Sequence, residues 1–388
     1  MNTVSSKLLS VLETVLPQDG PKALHEPEFA GNEWANTKEC LDSGWVSSAG
    51  KFVDEFEKRL AEYTGARHAV AVVNGTAALE IAVRLAGVGA GEEVVVPALT
   101  FVATANAVAH CGAIPHFADS EETSLGLDPV ALQTYLEQVA ERTAGAWRNR
   151  VTGRRLAAIV PMHALGHPSR IHEILEVAAR YQLPVVEDAA ESLGSSVRGQ
   201  HTGTFGLTGT LSFNGNKIIT TGGGGAILTN DEPLARHARH LTTTAKLPHP
   251  WKFLHDEVGY NYRMPNLNAA VGCAQMERLD DMLARKRRLA HAYRAQLEGV
   301  QDIHFIDEPP ECVSNFWLNA VRIDLDSVEE RDDVIGSLVA AGYHCRPLWT
   351  LLHRLPMYAD CSRGPLPVAE RLEASVIKLP SSAKLAQS

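Results

Sequence analysis

Short runs of β-branched and other apolar residues alternate with amphipathic segments between about residues 66 and 229. The apolar runs predict seven strands, at 69–73, 94–96, 114–118, 156–161, 184–187, 209–213 and 226–228. The segments between them predict helices at 76–86, 104–110 and 171–181, and Asp128 followed by Pro129 is typical of a further helix start. Such alternation is typical of a mostly parallel sheet between two helix layers, so we predict an α/β fold.

The pattern changes after Pro265, where an apolar stripe predicts a long helix over 267–297. A strand at 317–323, a helix at 328–340 and a strand at 343–346 are predicted to follow. A chain of 388 residues exceeds the usual size of one core. We therefore predict an N-terminal extension (1–30), a large domain (31–262) and a smaller C-terminal α/β domain (263–388).

Composition and charge narrow the functional class. The formal net charge of −10 argues against nucleic-acid binding, which needs a concentrated basic surface. No apolar run reaches the length of a membrane span, and the first residues lack the features of a signal peptide. Six singly spaced cysteines favour reduced thiols, so we expect a cytoplasmic protein without membrane contact. The arginine-rich segment 142–155 is interpreted as a solvated loop in preference to an anion-steering surface.

Lys217 is the first candidate for chemistry. It lies in LSFNGNKIITTGGGG, a glycine-rich stretch that follows a predicted strand, so its amine is expected at the sheet edge where ligands bind. An amine in that position suits Schiff-base chemistry, provided that burial or neighbouring charge lowers its pKa. The alternative interpretation is an ordinary surface lysine beside glycines.

Asp188 is the second candidate, at the end of the predicted strand in VVEDAAESLGS. Its carboxylate is expected at the same sheet edge as Lys217. A buried carboxylate there would keep the ring nitrogen of a pyridine cofactor protonated, as an electron sink requires. The alternative is a helix N-cap, a common role for an aspartate before a run of small residues.

A phosphate site is predicted where the strand at 69–73 leads through Asn74 and Gly75 into a helix beginning near Thr76. Free N–H groups at a helix start bind phosphate well, and the Ser212 hydroxyl would complete the cup. Phe101, in PALTFVATANAV, either stacks on a planar ring or packs in the core.

The segments NGTAAL, TFVATANAV, VVEDAAESLGS, SFNGNK and GYNYRMPNLNAAVGCAQ together resemble motifs of the DegT/StrS sugar aminotransferases. The resemblance runs from about residue 27 to 380 and implies a fold-type-I enzyme with a mixed, mostly parallel seven-stranded sheet. It implies pyridoxal 5'-phosphate as cofactor, with a pyridoxamine phosphate form during turnover. The implied roles are a Schiff base for Lys217, ring-nitrogen contact for Asp188, phosphate contact for Gly75, Thr76 and Ser212, and ring stacking for Phe101.

The same resemblance implies that Glu191, one helical turn after Asp188, lies near the phenolic oxygen of the cofactor. It also implies that Asn261 reaches the phosphate site of a second subunit, which gives a homodimer with shared active sites. His163 matches a family position near cofactor or substrate. No metal site is expected, because Gly166 and Pro168 break the helix that a His163–His167 pair would need. Gly223 departs from the acidic residue of many relatives, and we expect only a local loop difference.

The substrate is inferred from HEPEFAGNEW, SGWVSSAGKFVDEFE and RPLWTLLHRLPMY, which resemble the branch serving legionaminic acid and related diamino sugars. The implied substrate is a nucleotide-linked 4-keto-6-deoxy-N-acetylhexosamine, with UDP as the favoured nucleotide and L-glutamate as amino donor. The implied product is a 4-amino sugar for surface glycans such as lipopolysaccharide. Arginine grips phosphate and aromatic faces cover sugar rings, although the tryptophans also suit core positions. The candidates for the sugar and nucleotide end are Trp45, Ser47, Trp317, Arg346, Trp349 and His353.

Several alternatives remain open at this stage. The substrate could instead be a 3-keto sugar, a GDP-linked sugar or an aminocyclitol precursor, and the chain could be a non-catalytic sensor that binds the cofactor. Deoxygenating dehydratases of the same fold carry histidine in place of the Schiff-base lysine, so Lys217 argues against that activity. A cysteine or zinc hydrolase is disfavoured because no cysteine lies beside a recognisable base and no ligand cluster is present.

Overall fold

The computed structural model describes residues 3–325 and 327–387. Within these ranges twelve α-helices form: α1 (Thr3–Val15), α2 (Glu33–Ser43), α3 (Lys51–Thr64), α4 (Gly75–Leu85), α5 (Ala103–His110), α6 (Pro129–Val139), α7 (Ile171–Arg180), α8 (Glu232–Thr242), α9 (Asn266–Met276), α10 (Leu279–Leu297), α11 (Val328–Ala340) and α12 (Pro367–Ser375). Short 3₁₀ helices occupy Ala164–Gly166, Leu352–Arg354, Pro356–Tyr358 and Ala383–Leu385.

The same described residues form eighteen strands: β1 (His68–Val72), β2 (Glu93–Pro97), β3 (Ile114–Ala118), β4 (Ala140–Thr143), β5 (Ala146–Asn149), β6 (Leu156–Ile159), β7 (Val186–Asp188), β8 (Ser196–Val197), β9 (Gln200–His201), β10 (Thr208–Ser212), β11 (Gly225–Thr229), β12 (Lys246–Leu247), β13 (Leu254–His255), β14 (Ile303–Phe305), β15 (Cys312–Val313), β16 (Ala320–Ile323), β17 (Arg346–Pro347) and β18 (Val376–Lys378).

Seven of these strands form the central sheet in the order β1-β11-β10-β7-β6-β2-β3. Strand β7 joins β6 through parallel bridges between Ile159 and Val185 and between Met162 and Asp188. Strand β11 runs antiparallel to both of its neighbours, and the other pairings are parallel. The mixed, mostly parallel seven-stranded sheet that the resemblance implies is thereby confirmed.

Helices cover both faces of this sheet, because successive strand residues point to opposite sides. In β2, Val94 and Val96 join one buried cluster with α3 and α5, whereas Val95 joins another cluster with α6 and α7. Helix α6 begins as predicted, since the Asp128 carboxylate accepts hydrogen bonds from the N–H groups of Val130 and Ala131. The sheet is buried on both faces, and Asp188 and Ser212 place polar side chains at the ends of β7 and β10.

A second unit is built on the antiparallel sheet β14-β16-β18-β17, packed against α10 and α11. The predicted N-terminal extension contributes to this unit, because Leu8 and Leu12 of α1 pack beside Tyr293 of α10. The single long helix predicted over 267–297 is wrong: the chain forms α9 and α10 with a break at residues 277–278. Helix α9 packs against α2 and α3 of the first unit, which is built on the central sheet. The division at residue 263 stays a prediction.

The arginine-rich segment corrects another expectation, since it forms a β-hairpin of β4 and β5 instead of a loop. Ala144 and Gly145 have φ of 53° and 80°, and two consecutive positive values suit the tight turn of a hairpin. Two of its arginines are held by glutamates of the first unit, Arg155 by Glu92 at 2.9 Å and Arg154 by Glu93 at 3.7 Å. Among the described residues, none of the helices combines the length and apolar character that a membrane crossing requires.

Candidate active site

A cavity of about 580 Å³ opens at the carboxyl ends of the central strands. The first unit contributes the residues that follow β1, β7 and β10, and the second unit closes the opposite wall. The cavity brings together nine of the residues predicted from the sequence: Gly75, Thr76, Phe101, Asp188, Glu191, Ser212, Lys217, Trp317 and Trp349.

Lys217 reaches into this cavity from the loop after β10, and its side chain is only 12% exposed. The amine Nζ lies 3.4 Å from Oε1 of Glu191 and 4.0 Å from the ring centroid of Trp317. The indole Nε1 of Trp317 donates a hydrogen bond to the Asn216 carbonyl at 2.7 Å, which ties the ring to the lysine loop. The geometry therefore excludes a free surface lysine and presents a held, nearly buried amine.

Asp188 ends β7 and is buried in the same cavity. Its Oδ2 accepts a hydrogen bond from the Thr104 hydroxyl at 2.7 Å, and its Oδ1 accepts one from the Ala190 N–H at 3.2 Å. Burial raises the pKa of Asp188, and these two hydrogen bonds oppose that shift. The alternative of a helix N-cap is wrong, because residues 189–195 form turns and no helix follows. A positively charged ring nitrogen in the cavity would stabilise this carboxylate.

Glu191 lies in those turns, so the predicted helical turn after Asp188 is also wrong. The carboxylate nevertheless reaches the cavity, where Oε1 faces Lys217 and Oε2 accepts a hydrogen bond from the Leu165 N–H at 2.9 Å. Burial raises the pKa of Glu191, whereas the charge of Lys217 lowers it. Glu191 therefore fixes the position of the lysine amine.

The start of α4 forms a phosphate cradle. The Asn74 side chain accepts a hydrogen bond from the Ala77 N–H at 2.8 Å, while the N–H groups of Gly75 and Thr76 donate to no described residue. A Cβ at position 75 would lie 2.8 Å from Cβ of Ser212, too close for a side chain. Two free N–H groups at the positive end of a helix therefore face the Ser212 side chain.

Gly75→Ala is expected to lower the affinity for pyridoxal phosphate by about 10- to 100-fold, the cost of one or two displaced charge-assisted hydrogen bonds. The new methyl group collides with Ser212 and moves the helix start away from the phosphate. Titration of the apoprotein, followed by absorbance, measures the dissociation constant. Gly336→Ala is the matched control, because a Cβ there meets nothing within 4 Å in α11. Equal affinities for both variants and the wild type would refute the cradle.

Three predicted residues, Arg346, His353 and His163, do not line the cavity. Arg346 lies in β17 of the second unit, and His353 lies in the 3₁₀ helix Leu352–Arg354; neither lines the cavity in this structure. His163 is fully buried: its Nε2 donates to Oε2 of Glu187 at 3.0 Å, since its Nδ1 accepts a hydrogen bond from the Ser169 N–H. The imidazole thus bonds to Glu187 and Ser169 and does not line the cavity, and the expected direct contact with cofactor or substrate stays a prediction.

Trp45, Ser47 and Asn261 do not line the cavity of a single chain. The carbonyls of Trp45 and Ser47 both accept hydrogen bonds from Asn266, and Asn261 pairs with Thr243 in an isolated bridge. The side chain of Trp45 is largely exposed. Their predicted roles at a shared site require a second subunit and stay predictions.

Three further residues serve the cavity without having been predicted: His25 and Lys378 line it, and Thr104 holds Asp188. Thr104 lies inside the TFVATANAV motif, but the sequence does not reveal that its hydroxyl bonds to Asp188. Lys378 is the only charged residue in VIKLP, and an isolated lysine in an apolar strand is a signal for a special environment.

A held amine, a buried carboxylate and a phosphate cradle around one cavity fit pyridoxal phosphate and define a fold-type-I aminotransferase. Residues 27–388 match the model of the DegT/DnrJ/EryC1/StrS aminotransferase family. The chain belongs to this family, is a pyridoxal-phosphate-dependent sugar aminotransferase, and uses pyridoxal phosphate as its cofactor.

Individual relatives match over nearly the whole chain. The chain is 38% identical over 364 residues to a GDP-perosamine synthase of Caulobacter vibrioides, and the match covers 93% of each of the two chains. It is 36% identical over 358 residues to a GDP-perosamine synthase of Escherichia coli O157:H7, and the match covers 92% of each of the two chains. The aminotransferase TlmJ of Streptoalloteichus hindustanus superimposes with a TM-score of 0.84 at 30% identity, covering 93% of this chain and 94% of that one.

Proposed function

We propose that the protein transfers the amino group of L-glutamate to C4 of a GDP-linked 4-keto-6-deoxyhexose. The observation that carries the chemistry is the Lys217 amine held by Glu191 and Trp317 in one cavity with Asp188. The choice of nucleotide rests on the relatives. The sequence motifs favoured a UDP-linked N-acetylated sugar of the legionaminic-acid branch, but the two GDP-perosamine synthases support the GDP-linked, 4-amino alternative.

The chain supplies positions and proton transfer. When bound, pyridoxal phosphate provides the electron sink for breaking and forming bonds at the reacting carbon. The N–H groups of Gly75 and Thr76, with the Ser212 hydroxyl, would hold the phosphate, and Asp188 would stabilise the positive charge of the ring nitrogen. The Lys217 Nζ removes the proton from the α-carbon of the donor, and in the second half of the reaction it delivers a proton to C4 of the sugar.

Aromatic side chains supply the surface against which rings can pack. Phe101 is half-exposed at the cavity mouth of the first unit, while Trp317 and Trp349 lie on the wall of the second unit. Flat apolar faces of this kind cover a cofactor or a sugar ring while leaving its hydroxyl groups free for hydrogen bonds. We assign Phe101 to the cofactor ring and the tryptophans to the sugar.

We also propose a cytoplasmic homodimer that completes its two sites with Asn261 of each subunit. Large aromatic side chains that a monomer rarely exposes support an interface: Trp34 and Phe253 are each 79% exposed, and Trp251 is 77% exposed. The six cysteines are free, which agrees with a reducing compartment.

A substrate panel tests the proposed function. The holoprotein is incubated with L-glutamate and with GDP- and UDP-linked 4-keto and 3-keto sugars, and products are identified by mass spectrometry and NMR. The expected result is an amine at C4 of the GDP-linked 4-keto sugar, formed at least about tenfold more efficiently than on its UDP counterpart, since one lost set of nucleotide contacts costs that much. A preference for the UDP-linked sugar would restore the original motif-based assignment. Cofactor binding without amine transfer to any sugar would support the sensor alternative.

A further inference from the structure

Lys378 is a buried cation that forms no ion pair with a carboxylate of the described residues. It ends β18 on the second-unit wall of the cavity, where it is 8% exposed. Its Nζ lies 5.1 Å from the ring centroid of Trp349 and makes no hydrogen bond or ion pair with any residue in 3–325 or 327–387. Because taking an ammonium group out of water is costly, such a group is retained where something else will neutralise it.

Arg346 adds a second cation beside Lys378, on an exposed side chain that does not itself line the cavity. It is the direct antiparallel partner of Lys378 across β17 and β18, and directly paired residues project from the same face of a sheet. Like charges in such a pair repel each other, yet Arg346 also lacks a carboxylate partner among the described residues. One unpaired cation on the wall of the cavity, with a second, exposed cation beside it, therefore suits an anion that no carboxylate of the described residues supplies.

The other ionisable groups near Lys378 agree with this assignment. Burial, Lys217 and Arg346 lower the pKa of Lys378 to about 8, against the opposing effect of Glu191, so its ammonium persists at neutral pH. Asp188 is occupied by Thr104 and Ala190. Burial, together with the charges of Lys286 and Lys217, holds the pKa of His25 well below its usual range, so His25 faces the cavity as a neutral group.

The chemistry of the reactants selects the anion. The cofactor phosphate has its own cradle at Gly75, Thr76 and Ser212 on the first unit. The sugar ring is neutral at its reacting carbon, and its diphosphate lies across the ring from C4. The amino donor, in contrast, carries a carboxylate on the very carbon that gives its proton to Lys217, so that carboxylate must lie inside the same cavity.

We propose that Lys378, with Arg346 beside it, binds a carboxylate of the amino donor during the first half of the reaction. This assignment rests on the proposed function, because it takes an amino acid to be the donor. The sugar, which brings no carboxylate to this wall, then enters after the keto acid has left. Lys378 is thus a specificity residue for the donor and does not act on the sugar.

Binding of a non-reacting dicarboxylate tests the proposal independently of turnover. Glutarate is titrated into the holoprotein by calorimetry, and Lys378→Met is expected to weaken its binding by about 10- to 100-fold, the value of a charge-assisted contact. Lys378→Arg retains the charge and is expected to recover most of the affinity. Lys58→Met is the matched control, since Lys58 is 67% exposed on α3. Lys378→Met is also expected to raise the melting temperature of the ligand-free protein, because it removes a buried charge that forms no ion pair with the described residues.

Half-reactions measured separately by stopped-flow absorbance decide between the two substrates. Lys378→Met is expected to raise the apparent dissociation constant for L-glutamate by the same factor, and to leave the reaction of the aminated holoprotein with the keto sugar unchanged. A defect confined to the sugar half-reaction would overturn the proposal in favour of a diphosphate contact, and unchanged glutarate binding would also overturn it. If the wild type binds glutarate through Lys378 yet aminates no sugar, the proposed function fails while this assignment stands.

Discussion

Lys217→Ala is expected to lower transamination by roughly 10⁴-fold or more and to remove the yellow colour of the holoprotein. The Nζ of Lys217 serves both as the point of covalent attachment and as the proton carrier, so the variant loses both functions. This amine lies inside the cavity, next to Glu191 and Trp317. Absorbance spectra of the purified protein and steady-state rates with glutamate and a keto sugar measure the two effects.

Lys58→Ala is the control for this change, because Lys58 lies on the exposed face of α3 and its substitution removes the same side chain without touching the cavity. Its spectrum and rate are expected to match those of the wild type. A Lys217→Ala protein that keeps its colour and its turnover would show that another amine does the chemistry.

Asp188→Asn is expected to lower kcat by about 100-fold or more while the protein still binds the cofactor and stays yellow. A neutral amide keeps the size of the side chain and can still accept a hydrogen bond from Thr104, but it cannot stabilise a protonated ring nitrogen. Single-turnover absorbance with glutamate, compared with the affinity for pyridoxal phosphate, separates the rate defect from any binding defect.

Thr104→Val provides a graded comparison, because it removes the 2.7 Å hydrogen bond and leaves the carboxylate in place. We expect kcat to fall by about tenfold, which is the effect of losing one hydrogen bond to a charged group. Asp54→Asn, on the exposed surface of α3, is expected to change nothing. Full activity in Asp188→Asn would remove Asp188 from the mechanism.

Much of the catalytic half of the site was predictable because each of its members follows a strand. Runs of apolar residues locate the ends of β1, β7 and β10, and parallel strands bring those ends to one edge. Asn74, Asp188 and Lys217 could therefore be placed together from the sequence before any side-chain contact was known. Their turn and helix surroundings were harder to predict, as the false N-cap assignment of Asp188 shows.

The substrate half was much less predictable, since it depends on how the second unit meets the first. The lone lysine in VIKLP indicates only an unusual environment for Lys378, and its position on the cavity wall beside Arg346 appears only in the folded chain. Trp317 and Trp349 line the cavity, whereas Trp45 lies outside it, although all three were equally plausible from composition. His163 was matched to the site, but its buried ring bonds to Glu187 and does not line the cavity.

Reduction of the yellow holoprotein with borohydride, followed by peptide mass spectrometry, tests most directly whether Lys217 carries the cofactor. The reagent makes the bond between the lysine and pyridoxal phosphate permanent, so the modified residue can be read from the fragment masses. A single phosphopyridoxyl group on Lys217 is the predicted result. A label on Lys378 or on any other lysine, with Lys217 unmodified, would contradict it.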